Sequence, residues 1–230
     1  MKRTIVFDTG PIISLATNNL LWILKPLKKE FNGDFLIPGS VKKELVDRPI
    51  KGKRFKFEAM QVMELLNNGV LKLVDDLAVK EEAGKLLELA NSIFRAKGRD
   101  LKIVHEAEIE AVALDKLRDS AAFVVDERTV RMLIEYPEKL RKKMEKKLHS
   151  KIKVNKKNLH EFSKRTRDID MIRSTELVTI AYEKGLLDRY MPKMPNAKKE
   201  LLDSVLWGMK LNGCSITRKE INRIVKLETK

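Results

Sequence analysis

Cys214 is the only cysteine in 230 residues, which excludes an internal disulfide and a cysteine-based zinc site. Its setting, Asn212-Gly213-Cys214-Ser215, reads as a turn carrying a packed thiol rather than a nucleophile. No apolar run approaches the roughly 18 residues of a membrane span. Asp8 and Gly10 interrupt the one short apolar stretch near the N-terminus, so a signal peptide is not expected. The expected setting is cytoplasmic and reducing, with no membrane partner. A phosphate loop of the Gly-x-x-x-x-Gly-Lys type, zinc-ligand spacing and a Ser-His-Asp arrangement are all missing. Histidine is scarce, and His105, His149 and His160 receive no catalytic role. Without an internal repeat or a low-complexity linker, a single domain over 1–230 is the simplest organisation.

Positive charge is what the chain has in excess. Lys and Arg number 48 against 33 Asp and Glu, a net charge of +15, within 43% apolar and 35% charged residues. Such a surface attracts polyanions, of which nucleic acid is the commonest in the cytoplasm. High Lys and Glu content with one cysteine also matches a heat-adapted intracellular protein. The excess is concentrated between Glu138 and Arg167, where thirteen basic residues face three acidic ones and carry about +10 of the total. The candidate phosphate contacts there are Lys139, Arg141, Lys142, Lys143, Lys146, Lys147, Lys151, Lys153, Lys156, Lys157, Lys164 and Arg165. Leu140, Met144 and Leu148 recur at helical spacing. The pattern predicts a basic helix, a turn near 150–155 and a second basic helix packing back on the first. This protruding hairpin, an insertion over 136–168, suits phosphate binding with a steep salt dependence. A solvated charged face is the plainer reading of the same run.

Elsewhere, short apolar strands at 2–7, 35–37, 70–74 and 121–125 alternate with helical patterns. Helices are expected from about 11, over 20–31, 41–46 and 55–67, at 80–96 and 104–117, and at 174–184, 197–211 and 217–225. The alternation argues an α/β fold with a short central parallel sheet. Residues 51–100 form an extended helical segment within it.

Ligands of open parallel sheets bind beyond the carboxyl ends of the strands. Asp8 and Asp126 each follow a short apolar strand, so neighbouring strands would bring their carboxylates together. Like charges so placed repel unless a cation neutralises them, and hard cations such as Mg²⁺ or Mn²⁺ prefer carboxylate oxygen. Glu108 and Glu110 lie two residues apart on one helix and cannot share a face, so one is expected at the site and the other at its rim or in solvent. Glu44, on the helix at 41–46, is a fourth candidate. Each acid taken singly reads as a surface carboxylate, whereas the ordered set does not.

The run Ile5-Val6-Phe7-Asp8-Thr9-Gly10-Pro11-Ile12-Ile13-Ser14-Leu15-Ala16 resembles the first motif of PIN-domain nucleases. Phe35-Leu36-Ile37-Pro38 through Val41-Lys42-Lys43-Glu44-Leu45 resembles their second. Ala107-Glu108-Ile109-Glu110-Ala111 is similar to the Gly-Glu-x-Glu-Ala helix of one subgroup, with Ala107 replacing the glycine. Val124-Val125-Asp126-Glu127-Arg128 resembles that subgroup's Asp-Asp-Arg motif, with Glu127 as the second acid. The resemblance implies a three-layer α/β/α fold and metal-dependent hydrolysis of RNA phosphodiesters, leaving 5′-phosphate and 3′-hydroxyl ends. Asp8, Glu108 and Asp126 would be the principal ligands of Mg²⁺ or Mn²⁺, and Glu44 would complete the cluster. Glu110 and Glu127 rank as secondary acids. Thr9 would orient Asp8 or a metal-bound water, or else make a helix-entry hydrogen bond. Arg128 would contact substrate phosphate, or else pair with a neighbouring acid. Structured RNA, including a tRNA or rRNA precursor, is the implied partner, and a homodimer is plausible from the family.

Three other readings stay open on sequence. A toxin-type nuclease is one, although the length and the basic insertion count against it. A non-catalytic RNA-binding or assembly factor on the same fold is another, and a DNA-directed nuclease is the third.

Overall fold

The structure is a computed structural model that describes residues 3–229. Strand β1 (Thr4–Phe7) leads into α1 (Thr9–Thr17), and a 3-10 turn at Leu21–Ile23 runs into α2 (Leu24–Phe31). After β2 (Asp34–Pro38), α3 (Gly39–Lys42) widens into a π turn over Lys43–Asp47. Next come α4 (Lys56–Asn67), β3 (Leu71–Val74), α5 (Leu77–Asn91), β4 (Phe94–Ala96) and β5 (Arg99–Asp100). The middle of the chain holds α6 (Glu106–Arg118), β6 (Ala122–Val124) and α7 (Arg128–Glu135). The basic segment contributes α8 (Pro137–Leu148), β7 (Lys153–Val154) and α9 (Lys156–Thr166). The chain closes with β8 (Met171–Ile172), α10 (Ser174–Glu183), α11 (Ala197–Leu211) and α12 (Arg218–Glu228).

The fold is α/β, with a central sheet of five parallel strands in the order β3-β2-β1-β6-β8, flanked by helices. Its inner strands are apolar throughout because helices cover both faces: Val6, Phe7, Phe35, Ile37, Phe123 and Val124 are all buried. Helix α6 packs on β1, β2 and β6, with α5 against it. Ile109 to Asp115 is therefore buried around the full circumference of α6, wider than the one stripe its periodicity predicts.

Several expectations change at this level. Lys2, placed in the first strand by sequence, lies outside the described residues. The helix expected over 80–96 starts earlier and ends at Asn91, whose side chain accepts from the amides of Ile103 and Val104. Phe94–Ala96 is instead a strand paired with β5 through Lys97 and Gly98, both at positive φ. Two such residues make the tight hairpin that right-twisted strands favour. The single helix expected over 20–31 splits into the 3-10 turn and α2. Helix α7 arises where no helix was expected.

The basic segment also packs differently. Its second helix, α9, docks chiefly on α5, while α8 docks on α7. Val154 of β7 pairs with Phe94, and Arg165 reaches Glu82 of α5 at 3.2 Å. A thin seam of Leu140, Met144 and Leu148 buries too little apolar surface to hold two cationic helices together, and α5 offers both an apolar face and an acid.

Candidate active site

The strand order reverses between β1 and β6: from β1 the chain moves out to β2 and β3, then returns to β6 on the other side. A crevice beyond the carboxyl ends of strands at such a switch point is where open α/β sheets place ligands. Phe7 pairs with Val124, and the Asp8 amide donates to the Val124 carbonyl at 3.0 Å. Asp8 and Asp126 thus emerge at one end of the sheet, on either side of the start of α1. A Cβ placed on Gly10 would lie 3.4 Å from the Asp126 Cβ and 3.8 Å from Asp8 Oδ2.

Asp8 is 3% exposed, and its Oδ1 has no hydrogen-bond partner among the described residues. Burial, reinforced by Glu108 and Glu44, pushes its carboxyl up to about 7 against the pull of the Thr9 and Gly10 amides. Burial also lifts Glu108 to about 7, with Glu127 and Glu44 adding to the rise and the His105 amide opposing it. That amide donates to Glu108 Oε2 at 2.8 Å, closing a capping box at the start of α6. Glu44 sits in the π turn, a feature frequent at functional sites, and accepts the Thr9 hydroxyl on Oε2 at 2.8 Å. Thr9 therefore tethers Glu44, a role the sequence did not suggest.

Asp126 is held differently. Ser14 and Ser174 hydroxyls donate to its Oδ2, both at 2.7 Å, and the Ser174 amide donates to Oδ1 at 2.8 Å. The C-terminal region locks this floor: Ser215 N reaches the Asp126 carbonyl at 3.3 Å. Arg173, half-buried, bridges Glu176 and Glu220 at 2.6 and 2.9 Å.

Among the described residues, no three acidic, histidine or cysteine side chains stand close enough to enclose a metal ion. The donor chemistry nevertheless fits a hard divalent cation: all-carboxylate oxygen, one orphaned buried oxygen, and two carboxyls whose ionisation their surroundings oppose. Mg²⁺ keeps several waters and takes one or two carboxylates; Asp8 and Glu108, with Glu44 beside them and the remaining acceptor position on Asp126 Oδ1, are the groups that would hold such an ion.

A family model described as PIN domain (DUF3368) matches residues 4–136, more than half of the chain. The chain belongs to the PIN-domain family. The matched span contains all four acids of the cluster and stops just before α8. Among solved structures, VapBC2 from Rickettsia felis, crystallised with a DNA fragment from its promoter, is similar at a TM-score of 0.40. The two share 14% identity, over 74% of this chain and 98% of that one. None of the curated proteins compared with the chain matches it.

In this PIN domain the two secondary acids lie apart from each other. Glu110 is 4% exposed and accepts the Ser40 amide at 2.9 Å, so the acid expected at the rim or in solvent is the more buried of the α6 pair. Two residues along a helix turn the side chain through about 200°, which aims Glu110 across β2 at α3. Glu127 caps α7, accepting from the Thr129 and Val130 amides, and lies close enough to Glu108 to raise it. Arg128 stands exposed at the start of α7. An open groove of about 370 Å³ runs from Glu44 past Glu106 and Glu110, lined by Asp47 and Asp75 as well as by Lys43, Arg48 and Lys80, the last paired with Asp75. The sequence pattern did not single out Ser14 or Ser174; Ser14 lies within the first motif, and only the fold reveals that both face Asp126.

Proposed function

We propose that this chain is a divalent-metal-dependent ribonuclease that hydrolyses phosphodiester bonds at the end of β1. The observation that carries this reading is the buried, unpartnered Asp8 oxygen beside Glu108 and Glu44. Asp8 and Glu108 are the principal ligands of Mg²⁺ or Mn²⁺. A cation bound there supplies Lewis-acid activation of water and neutralises charge on the phosphate. Glu44, tethered by Thr9, completes the acid cluster. Asp126, whose oxygens are engaged by Ser14 and Ser174, serves first to fix the geometry around Asp8, with one further acceptor position left on Oδ1.

A nucleic-acid substrate is supported by the charge distribution, and RNA is the member of that class implied by the family resemblance. In the insertion over 136–168, Lys139, Lys142, Lys143, Lys146, Lys147, Lys151, Lys153, Lys156 and Lys157 are exposed. Arg141 and Arg165 are instead spent on ion pairs, with Glu138 and Glu145 and with Glu82 and Glu161. Lys164 lies among Asp168 and Glu161. The lysines form the phosphate grip, and the two arginines hold the segment in shape.

The test is cleavage of a labelled structured RNA with Mg²⁺ or Mn²⁺, with and without EDTA, comparing wild type with Asp8→Asn and Glu108→Gln. Metal-dependent cutting that both substitutions abolish is the expected result. Salt-sensitive binding without cutting, unchanged by either substitution, would replace this reading with that of an RNA-binding factor on a PIN fold.

A further inference from the structure

The segment Lys51-Gly52-Lys53-Arg54-Phe55-Lys56-Phe57 is exposed along its whole length, yet it carries two phenylalanines among four cations. Phe57 is 68% exposed, and Met60, one helical turn on, is exposed beside it. Phe55 adopts φ +59°, left-handed backbone that a bulky aromatic residue rarely occupies. Strain of that kind persists where the surroundings impose it, and it clusters at ligand clamps. Phe55 also lines a small cleft together with Glu44, Ile12 and Ile13. Glu44 is therefore shared: on one side it meets Thr9 and the acid cluster, on the other it meets the aromatic segment. The Arg54 guanidinium lies over the Phe55 ring, 4.7 Å from its centroid.

Aromatic faces interleaved with cations at the lip of a nuclease site are complementary to single-stranded nucleic acid. Bases stack on the rings while the cations follow the backbone, and every base has a face to offer. A purely apolar protein partner would leave Lys51, Lys53 and Lys56 without counter-charges, and a purely electrostatic contact would leave Phe57 in water.

We infer that Phe55 and Phe57, with Lys53 and Arg54, form a base-stacking lip that seats an unpaired stretch of RNA next to the scissile phosphate. The inference deepens the ribonuclease reading and rests on it for the identity of the strand. What it assigns is the set of side chains that seats the unpaired nucleotides, outside the acid cluster. The basic segment over 136–168 supplies affinity for the backbone, whereas the lip positions the unpaired strand.

Two readouts separate the lip from the chemistry. The first is equilibrium binding of a 5′-fluorescein-labelled adenosine decamer in EDTA, where no cleavage is needed. Phe57→Ala should raise Kd about tenfold, equivalent to about 1.4 kcal/mol. Phe55→Ala/Phe57→Ala should raise it further, and Phe57→Trp should restore it. An abasic ribose-phosphate decamer should bind wild type and Phe57→Ala alike. The second is metal-dependent hydrolysis of bis(p-nitrophenyl) phosphate, too small to reach the lip, which Phe57→Ala should retain. A wild type without that hydrolysis would count against the nuclease reading and leave the binding result standing. Equal decamer affinity for wild type and the double variant would overturn the lip, as would a solution dimer that Phe57→Ala dissolves, because the face would then be covered by a second copy.

Discussion

Asp8→Asn should stabilise this protein in the absence of metal, and the gain should grow with pH. Burial and the neighbouring acids raise the Asp8 carboxyl from 3.8 to about 7. The folded state thus holds this proton more tightly than the unfolded chain does. Below about pH 4 both states are protonated and no stability is forfeited; as pH rises from there towards 7, the folded state loses ground, and above about 7 the penalty is complete. A displacement of about 3 pH units corresponds to about 4 kcal/mol at roughly 1.36 kcal/mol per unit. Asparagine keeps the shape and removes the charge, but its amide must find acceptors of its own, which offsets part of the gain. A net increase of about 2–4 kcal/mol is expected at pH 8 in EDTA, or roughly 4–16 °C in Tm at about 2–4 °C per kcal/mol. Urea unfolding of both proteins between pH 5 and 8 measures this, and their difference should widen by about 2 kcal/mol or more across that range. Glu108 and Asp115 are also raised to about 7 by burial and titrate in the same window. Asp115 acts alike in both proteins, whereas Glu108 is coupled to Asp8 by charge, so the difference reports Asp8 together with its interaction with Glu108. Added Mg²⁺ should stabilise the wild type at pH 8 and leave Asp8→Asn nearly unchanged. An Asp8→Asn variant less stable than wild type at pH 8, or a difference that does not vary with pH, would refute the electrostatic account of the cluster.

Four further outcomes are expected. Ser174→Ala removes a 2.7 Å hydrogen bond to Asp126 and should cost about 1–3 kcal/mol, lowering kcat on RNA while leaving Kd in EDTA unchanged; a rise in Kd with kcat intact would place Asp126 in substrate binding instead. Arg173→Met leaves Glu176 and Glu220 without their shared cation. Both carboxylates keep access to water, so thermal unfolding should report a loss of about 1–2 kcal/mol; a neutral effect would mean that this network does not anchor the C-terminal helices. Replacing Lys142, Lys143, Lys146 and Lys147 by alanine should flatten the dependence of log Kd on log salt by about 0.7 for each single-strand phosphate that is no longer neutralised. Arg141→Ala, by contrast, breaks only the pairs with Glu138 and Glu145 and should leave the salt slope as it was.

Much of this site could be read along the chain because strand-ending acids carry a local signature. A run of buried β-branched and aromatic residues followed by Asp and a turn, as at Phe7-Asp8 and Val125-Asp126, names the element, its end and its charged residue together. Ser174–Glu183 and Ala197–Leu211 were legible for a similar reason: periodicity and flanking residues agree with tertiary packing. Legibility failed where two local outcomes were nearly equal. Phe94-Arg95-Ala96 continues a helical pattern as readily as it forms a strand, and pairing with Lys153 and Val154, almost sixty residues away, decided it. Glu108 and Glu110 have nearly identical surroundings in sequence, so their burial depended on which face of α6 met β2 and α3.

The alternation of short apolar strands with helical patterns determined the fold class, and the resemblance of short motifs pointed to the family and to a candidate set of carboxylates. These properties follow from residue type and short-range spacing, which a chain carries whether folded or not. The tertiary structure alone decided what each carboxylate does: Asp8 keeps an unpartnered oxygen, Glu44 is tethered by Thr9, and Asp126 is gripped by two serines distant in sequence. It also decided that α9 joins α5, and that an aromatic, cationic segment lies against the far side of Glu44. The physical reason is that hydrogen bonding, desolvation and repulsion depend on distances of a few ångströms between residues far apart along the chain, and only folding sets those distances.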